Sequence, residues 1–503
     1  MSGHVYIYND TNHLRIVNNK TKVVSYMAKQ NLVIQKDNDS TFFFKNDSYV
    51  KYFKKDEIAL PVADTLDDML EAIIAMLNVN FADEMISVSE LEKADTVLDI
   101  NVYSDKNTDL ITEKISNEAS SSHASNLVSM DINTIQAGNT NSIIRQSKEY
   151  VNIASGKINI TLVSGKLVND TTSFSIDSLG TDDGNYVLSK IGMFDTNNGI
   201  YVEYKGTNNS GVLEEEYSIV KVIDNVKETI PQSNWSNDKC DGNGVSGINI
   251  KKEDMHTFIF RLGTLPNTFI QVGIMYKGKS FLIHEFKIEH FFRKLPVRWE
   301  LEQFSTSELL SNLQMIQNNA VVLSSEKHNI TKNVRSTMCP SNSFKSLTVE
   351  ATEDIVFDIK LNSSYSRSKV KLEKVNIINT ENNGVVSWKL IKNGTILNLQ
   401  DNSVPTLTYN NMSAVDVVSQ DSSQSYVDGN LVLNNYLKIQ DNTGIVLASG
   451  YIMGNSVTNI DLTNDANIIY SNVDGESDHI SLIVKYINSP AELQASITWI
   501  EYE

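Results

Sequence analysis

The chain has 503 residues, enough for two to four domains that each bury a core. With 41% hydrophobic and 21% charged residues it reads as globular rather than disordered. Asp and Glu number 62 against 43 Lys and Arg, a net charge of −19; nucleic acid and anionic membranes recruit clustered basic side chains, so neither is expected as a partner. No apolar run approaches the ~18–20 residues of a membrane span. The opening Met1-Ser2-Gly3-His4-Val5 carries neither a basic nor an apolar leader segment, so no secretory signal is expected. Two cysteines, Cys240 and Cys339, are too few for a disulfide framework and are expected as separate thiols, which suits a reducing cytosol.

Taken in order, residues 1–60 alternate short apolar runs with Asn/Asp turns. Val5-Tyr6-Ile7-Tyr8, Leu14–Val17, Leu32–Ile34 and Thr41–Phe44 read as strands. Thr65 then caps a helix whose Leu66, Met69, Leu70, Ile73, Ile74 and Leu77 fall on one face, with Asp68 at the capping-box position. Together these predict a small α+β assembly domain over residues 1–95. Residues 96–144 are Ser/Asn/Thr-rich, most of all Ser116–Asn126, and read as an extended linker.

From Arg145 the pattern is strand after strand: Ile158–Val163, Tyr186–Ile191, Gly199–Tyr204, Tyr217–Ile223, His256–Leu262, Phe269–Tyr276 and Phe281–Phe292. Short β-branched runs at this spacing predict a sandwich rather than a parallel βαβ sheet. The first sandwich is expected over 145–304. Residues 305–350, where Leu309, Leu310, Leu313 and Ile316 fit either a short helix or an irregular strand, are a connector. A second sandwich follows over 351–503, with strands at Ile355–Leu361, Val385–Leu390, Tyr436–Gln440, Val446–Ile452, His479–Tyr486 and Leu493–Trp499. Asn383-Gly384, Asn393-Gly394 and Asp428-Gly429 suit primed hairpin turns. The fold class is thus mainly β: a small N-terminal α+β domain followed by two antiparallel, jelly-roll-like sandwiches.

Catalytic templates fail on spacing or residue type. The oxygen-rich loop Asn237–Asn243 has Lys239 and Ile248 where a Ca²⁺ hand needs an acid or amide and a bidentate Glu. His284-Glu285-Phe286-Lys287-Ile288-Glu289-His290 lacks the second zinc-binding His at 288, and on a strand His284 and His290 stand ~20 Å apart. Glu214-Glu215-Glu216 alternates faces and reads as a solvated charge run, and Ser366-Arg367-Ser368-Lys369 is an expected coincidence in a serine-rich chain. Hence no catalytic, cofactor-binding or metal-binding residue is assigned. The residues marked as structural are Trp235, anchoring a turn in which Gly242, Gly244 and Gly247 supply positive φ; Arg298, whose fork of donors would tie loop carbonyls together; and Trp499 in the alternating last strand.

Five pieces carry a resemblance: Gln146–Tyr150 with Ser155-Gly156-Lys157, Lys190–Asp195 with Asn198-Gly199-Ile200, Gln232–Gly247, Leu295-Pro296-Val297-Arg298, and Ser477–Leu482 with Thr498–Glu501. Over residues 140–503 the chain resembles β-rich structural proteins of virus particles, those encoded near tail and baseplate genes of double-stranded DNA phages and in some large DNA viruses. The resemblance implies a non-enzymatic virion component, assembled in the host cytoplasm, that contacts further copies of itself and neighbouring virion proteins, with a trimer as the expected oligomer. The competing reading is an adhesin for host-surface glycans, with Tyr201, Tyr204, Tyr409 and Tyr426 as its aromatic candidates.

Overall fold

The computed structural model describes residues 94–502 apart from the connecting segments 154–156, 169–183, 210, 245, 264–268, 288–291, 293, 326–331, 340–344, 348–352, 399–409, 413, 420–424, 428–429, 433–436 and 463–464; before residue 94 it describes the backbones of seven strands. The chain divides into two compact units, one built from Met1–Met85 and Cys240–Asn249, the other from Ile86–Lys239 and Ile250–Glu503. In the first unit Val5–Asn9, His13–Asn18 and Val23–Ala28 form an antiparallel meander, with Ile58–Ala59 parallel to its first strand. Val33–Asn38, Thr41–Asn46 and Tyr49–Lys54 form a second meander. The expected helix from Thr65 to Leu77 lies outside the described residues.

The second unit contains two antiparallel β-sandwiches. The central one uses β1 (Asp95–Ile100), β2 (Ile111–Ser116), β3 (Ala119–Ala124), β4 (Leu127–Ile135), β5 (Thr140–Ser147), β6 (Ile158–Lys166), β7 (Tyr186–Phe194), β8 (Gly199–Asn209), β9 (Val212–Ile223), β10 (Val226–Pro231), β11 (His256–Gly263), β12 (Phe269–Tyr276), β13 (Lys279–Lys287), β14 (Val297–Phe304) and β15 (Leu309–Ser324). One sheet runs β3-β4-β15-β6-β11-β12-β13, with β1 beside the second half of β15. The facing sheet runs β10-β9-β8-β7-β14-β5-β2. Their inner faces meet through side chains such as Ile191, Met193, Trp299 and Leu301 from one sheet and Val163, Phe258, Phe260 and Val272 from the other, all fully buried. The Trp299 indole N–H donates across the core to the Ser164 carbonyl (3.2 Å), which satisfies the polar end of the largest core side chain.

The C-terminal sandwich uses β16 (Lys332–Cys339), β17 (Asp354–Leu361), β18 (Lys369–Asn379), β19 (Val386–Lys392), β20 (Val415–Ser419), β21 (Ile445–Ile452), β22 (Ser456–Asp461), β23 (His479–Tyr486) and β24 (Ala491–Tyr502). One sheet runs β16-β24-β18-β22; the other places Asn410–Met412 beside β20 and continues β17-β23-β19-β21. Trp499 lies buried in this core and its indole N–H donates to Glu501 Oε1 (3.1 Å), whose carboxylate also accepts from the Ala414 N–H (3.2 Å). Burial opposes charge on His479, but the hydrogen bond to Asp358 (2.7 Å) and that carboxylate's charge outweigh it and hold the imidazole above its usual pKa.

Three sequence-based assignments change. The linker over 96–144 is instead structural core: it supplies β1 to β4 and most of β5. The Ser-rich Ser116–Asn126 contains β3, one arm of a hairpin with β4, held because the buried Arg145 guanidinium pairs with Glu113, and Ser121 Oγ donates to the same carboxylate (2.6 Å) while its carbonyl accepts from Lys106 Nζ (2.7 Å). The connector over 305–350 contains β15, a central strand of the eight-stranded sheet. Neither Gly384 nor Gly394 takes positive φ, while Asn393 does (+56°), and Asp428-Gly429 lies outside the described residues. Among the described residues, the turns with both φ positive are Ser125-Asn126, Asp224-Asn225 and Lys277-Gly278.

The segment Gln232–Asp238 closes one side of the central sandwich, where edge strands β10 and β13 lie open in their separate sheets. Trp235 is buried and its indole N–H donates back to the Ile230 carbonyl of β10 (3.1 Å). Ser236 N–H donates to Nδ1 of His284 (3.0 Å), and the N–H groups of Asn237 and Asp238 reach the Ile283 carbonyl of β13 (3.0 and 3.2 Å). The strap therefore occupies backbone groups that an edge strand otherwise leaves exposed. Trp235→Ala should cost ~3–5 kcal/mol, read from denaturant unfolding of the full chain. Burial holds His284 below its usual pKa, and its acceptor Nδ1 requires the neutral ring. The unfolded chain takes up this proton first as pH falls below ~6.5. His284 should thus contribute a loss of stability on acidification below that value, and His284→Asn, which does not titrate, should lose that part of the pH dependence.

Candidate ligand-binding face

Strand β14 reads Val297-Arg298-Trp299-Glu300-Leu301-Glu302-Gln303-Phe304. Period-two alternation sends Trp299 and Leu301 into the core and Arg298, Glu300, Glu302 and Phe304 onto the outer face of the seven-stranded sheet. The register sets Lys190 of β7 opposite Glu300, Tyr186 opposite Phe304, and Gly192 opposite Arg298. On the far side of β7, β8 adds Tyr201 beside Gly192, Glu203 beside Lys190, Lys205 beside Leu188 and Thr207 beside Tyr186.

These side chains form two zones. At the inner end Glu300 lies between two cations, with Lys190 Nζ at 2.7 Å and the Arg298 guanidinium on its other oxygen. Burial pushes the Glu300 carboxyl up, but Arg298 and Lys190 outweigh it and hold it below the usual carboxylate range. Arg298 also reaches Gln146 Oε1 (3.4 Å) and lies over the Phe194 ring, 5.0 Å from its centre. A Cβ at Gly192 would come within 2.6 Å of the Tyr201 Cα, so the missing side chain there lets the β8 backbone approach closely. Tyr201 rests on Phe194 with ring centres 4.5 Å apart, and Glu203 meets Lys227 of β10 at 3.3 Å. Beyond Phe194, the Asp195 carboxylate accepts from the N–H groups of Asn197 and Asn198 (2.8 and 2.9 Å) and pairs with Arg367 of the C-terminal sandwich (2.7 Å). Lys369 likewise crosses to Glu149 (2.9 Å), so ion pairs join the two sandwiches at this end.

At the other end the face is open. Tyr186 and Phe304 stack with centres 5.6 Å apart and planes 22° from parallel, and both are half-buried. The Tyr186 hydroxyl donates to Glu302 Oε1 (2.8 Å); burial and that carboxylate push the phenol up to about 12, so it stays protonated. Ser142 stands opposite Glu302, and Lys205 and Thr207 flank the pair on β8.

The residues singled out from sequence separate. Arg298 belongs to this face: its fork meets the side chains of Glu300 and Gln146, not loop carbonyls, because strand alternation turns it outward. Trp235 lies in the strap and Trp499 in the other sandwich. In the glycine turn, positive φ falls at Cys240 (+50°), Gly242 (+88°) and Gly247 (+65°), while Gly244 contributes the carbonyl that accepts from Gly247 N–H (3.0 Å). The Asp241 carboxylate is taken by the Asn243 N–H (2.9 Å). Both cysteines are buried. Tyr201 and Tyr204, at 5% and 0% exposure, are wall and core rather than platform. Tyr409 lies outside the described residues, as does the Tyr426 side chain. Sequence reading stopped at Arg298 and missed Glu300, Glu302 and Phe304; the alternation of charged and apolar residues along 297–304 was the available signal.

The sequence matches no protein-family model and no curated protein. Among solved structures the chain is similar to peanut lectin with a nine-residue peptide (13% identity, 46% of this chain and 98% of that one, TM-score 0.27), to a Bacillus licheniformis β-glucanase (10%, 46% and 97%, 0.25), and to the CBM2 module of the evolved Dit of Lactobacillus casei BL23 phage J-1 (6%, 46% and 95%, 0.26). Likeness at this level says nothing about a ligand.

Because Glu300 neutralises two buried cations, Glu300→Ala should destabilise the protein by ~3–5 kcal/mol. Chemical unfolding of the variant beside wild type measures this, and an unchanged midpoint would show that the cations find other partners.

Proposed function

We propose that the protein is a non-enzymatic carbohydrate-binding protein that takes its ligand at the open end of the seven-stranded sheet. The observation that carries this reading is the half-buried Tyr186–Phe304 stack beside the hydroxyl-accepting Glu302. An aromatic face suits the C–H face of a pyranose, and the neighbouring Ser142, Lys205, Thr207 and Glu302 offer donors and acceptors for ring hydroxyls.

Glycoside hydrolysis needs one carboxylic acid whose pKa is raised and a second, separate carboxylate. Glu300 is held in the opposite direction by Arg298 and Lys190, and Glu302 is engaged by Tyr186. These assignments favour binding over turnover. The resemblance of residues 140–503 to β-rich virion proteins supports a place in a virus particle, where this face would engage host-surface glycans while other surfaces meet neighbouring virion proteins.

A glycan array probed with the full chain tests the reading: one or more neutral hexose-containing glycans should be retained, unmodified after long incubation. Tyr186→Ala should weaken retention about fivefold, in line with ~1 kcal/mol for an aromatic contact, in a variant that circular dichroism shows to be still folded. An array on which nothing is retained, or retention indifferent to this change, would refute it.

A further inference from the structure

Most sheet edges of the two sandwiches are guarded. Strand β10 carries Lys227 and Glu228 and ends in Pro231, β2 carries Glu113 and Lys114, β16 carries Lys332 and Arg335, β13 lies under the strap, and Asn410–Met412 is only three residues long. Charge, proline, brevity and cover are the usual means of keeping an edge from pairing with another chain. Strand β3, Ala-Ser-Ser-Ser-His-Ala, offers small polar side chains.

Strand β21, Ile-Val-Leu-Ala-Ser-Gly-Tyr-Ile, has none of these guards. It ends its sheet, with β19 on one side. A bulge at Leu447 leaves Ala448–Ile452 as a regular ladder against Val386–Leu390. Ile445, Val446 and Tyr451 on this strand, with Met453 and Val457 just after it, are all more than half exposed; they are five of the fifteen large apolar side chains described as exposed in the protein. Beneath them Gly450 seats the Trp388 ring, which a Cβ at 450 would strike at 2.8 Å, so the strand is held from the core side while no other described strand pairs with its edge.

We propose that β21 is a homotypic interface, pairing antiparallel with β21 of a second copy about a two-fold axis. Charge selects this occupant. The chain carries −19, so two copies repel over most of their surface, yet residues 442–460 contain no Asp, Glu, Lys, Arg or His. An acidic or basic partner gains nothing from a neutral strand. An antiparallel copy of the same strand is its own backbone complement and brings no like charges together. Pairing joins the two six-stranded sheets into one and covers Tyr451 and Val446. The contact is two-fold, whereas the oligomer expected from sequence is a trimer.

Sedimentation of the full chain across micromolar concentrations tests this. Wild type should show a monomer–dimer equilibrium. Val446→Lys and Tyr451→Lys, both at exposed positions, should each raise the dissociation constant at least tenfold without moving the unfolding midpoint. Hydrogen exchange should show amides of 445–452 becoming protected as concentration rises. A wild type that stays monomeric, a dimer or trimer indifferent to both lysines, or amides in β21 that exchange alike at all concentrations would overturn the proposal.

Discussion

Along β14 each step turns the next side chain to the opposite face, so one eight-residue strand serves a dry core and an outer face at once. Trp299 and Leu301 fill the space between the sheets, and their burial fixes the register of β7 and β5 on either side. A slip of one residue would drive Arg298 and Glu300 into that core, where charges cannot be held without partners. The register in turn delivers Lys190 to Glu300 and Tyr186 to Phe304. Core packing and the chemistry of the outer face are consequences of the same alternation.

The two ends of that face differ in what they allow. The inner end is a closed set of ion pairs and stacked rings, where charges are matched to one another and the C-terminal sandwich adds Arg367 to Asp195. Buried pairs of this sort contribute little net stability but are costly to break, so they define one arrangement of side chains. The outer end keeps aromatic surface and hydrogen-bonding groups within reach of solvent. A rigid inner cluster beside an accessible stack gives a binding surface its preorganisation without a loop having to close.

Strands bounded by Asn and Gly, such as Ile158–Lys166 and Gly199–Asn209, were legible because local residues carry their signal. Strand β15 was not. Leu309, Leu310, Leu313 and Ile316 have helical spacing, and the strand runs through the middle of a sheet where both hydrophobic and polar side chains are buried, Gln317 among them. That erases the alternation a half-exposed strand shows. The Ser-rich strand of the β3–β4 hairpin was hidden for another reason: what orders it is Arg145, Glu113 and Lys106, contacts set by tertiary structure rather than by the serines themselves. The same holds for Glu300, whose partner Lys190 lies 110 positions earlier in the chain.

The first compact unit is assembled from Met1–Met85 and the distant decapeptide Cys240–Asn249. That has a consequence for the order of events during synthesis. The 154 residues between the two pieces must be translated before the unit has all its parts, a delay of about 8–30 s at ~5–20 residues per second. Throughout that interval β1 to β10 are emerging, while the central sandwich itself still lacks β11 to β15. Neither unit can finish before the other has begun, and the nascent chain must keep an incomplete amino-terminal unit out of trouble until the ribosome has passed residue 249.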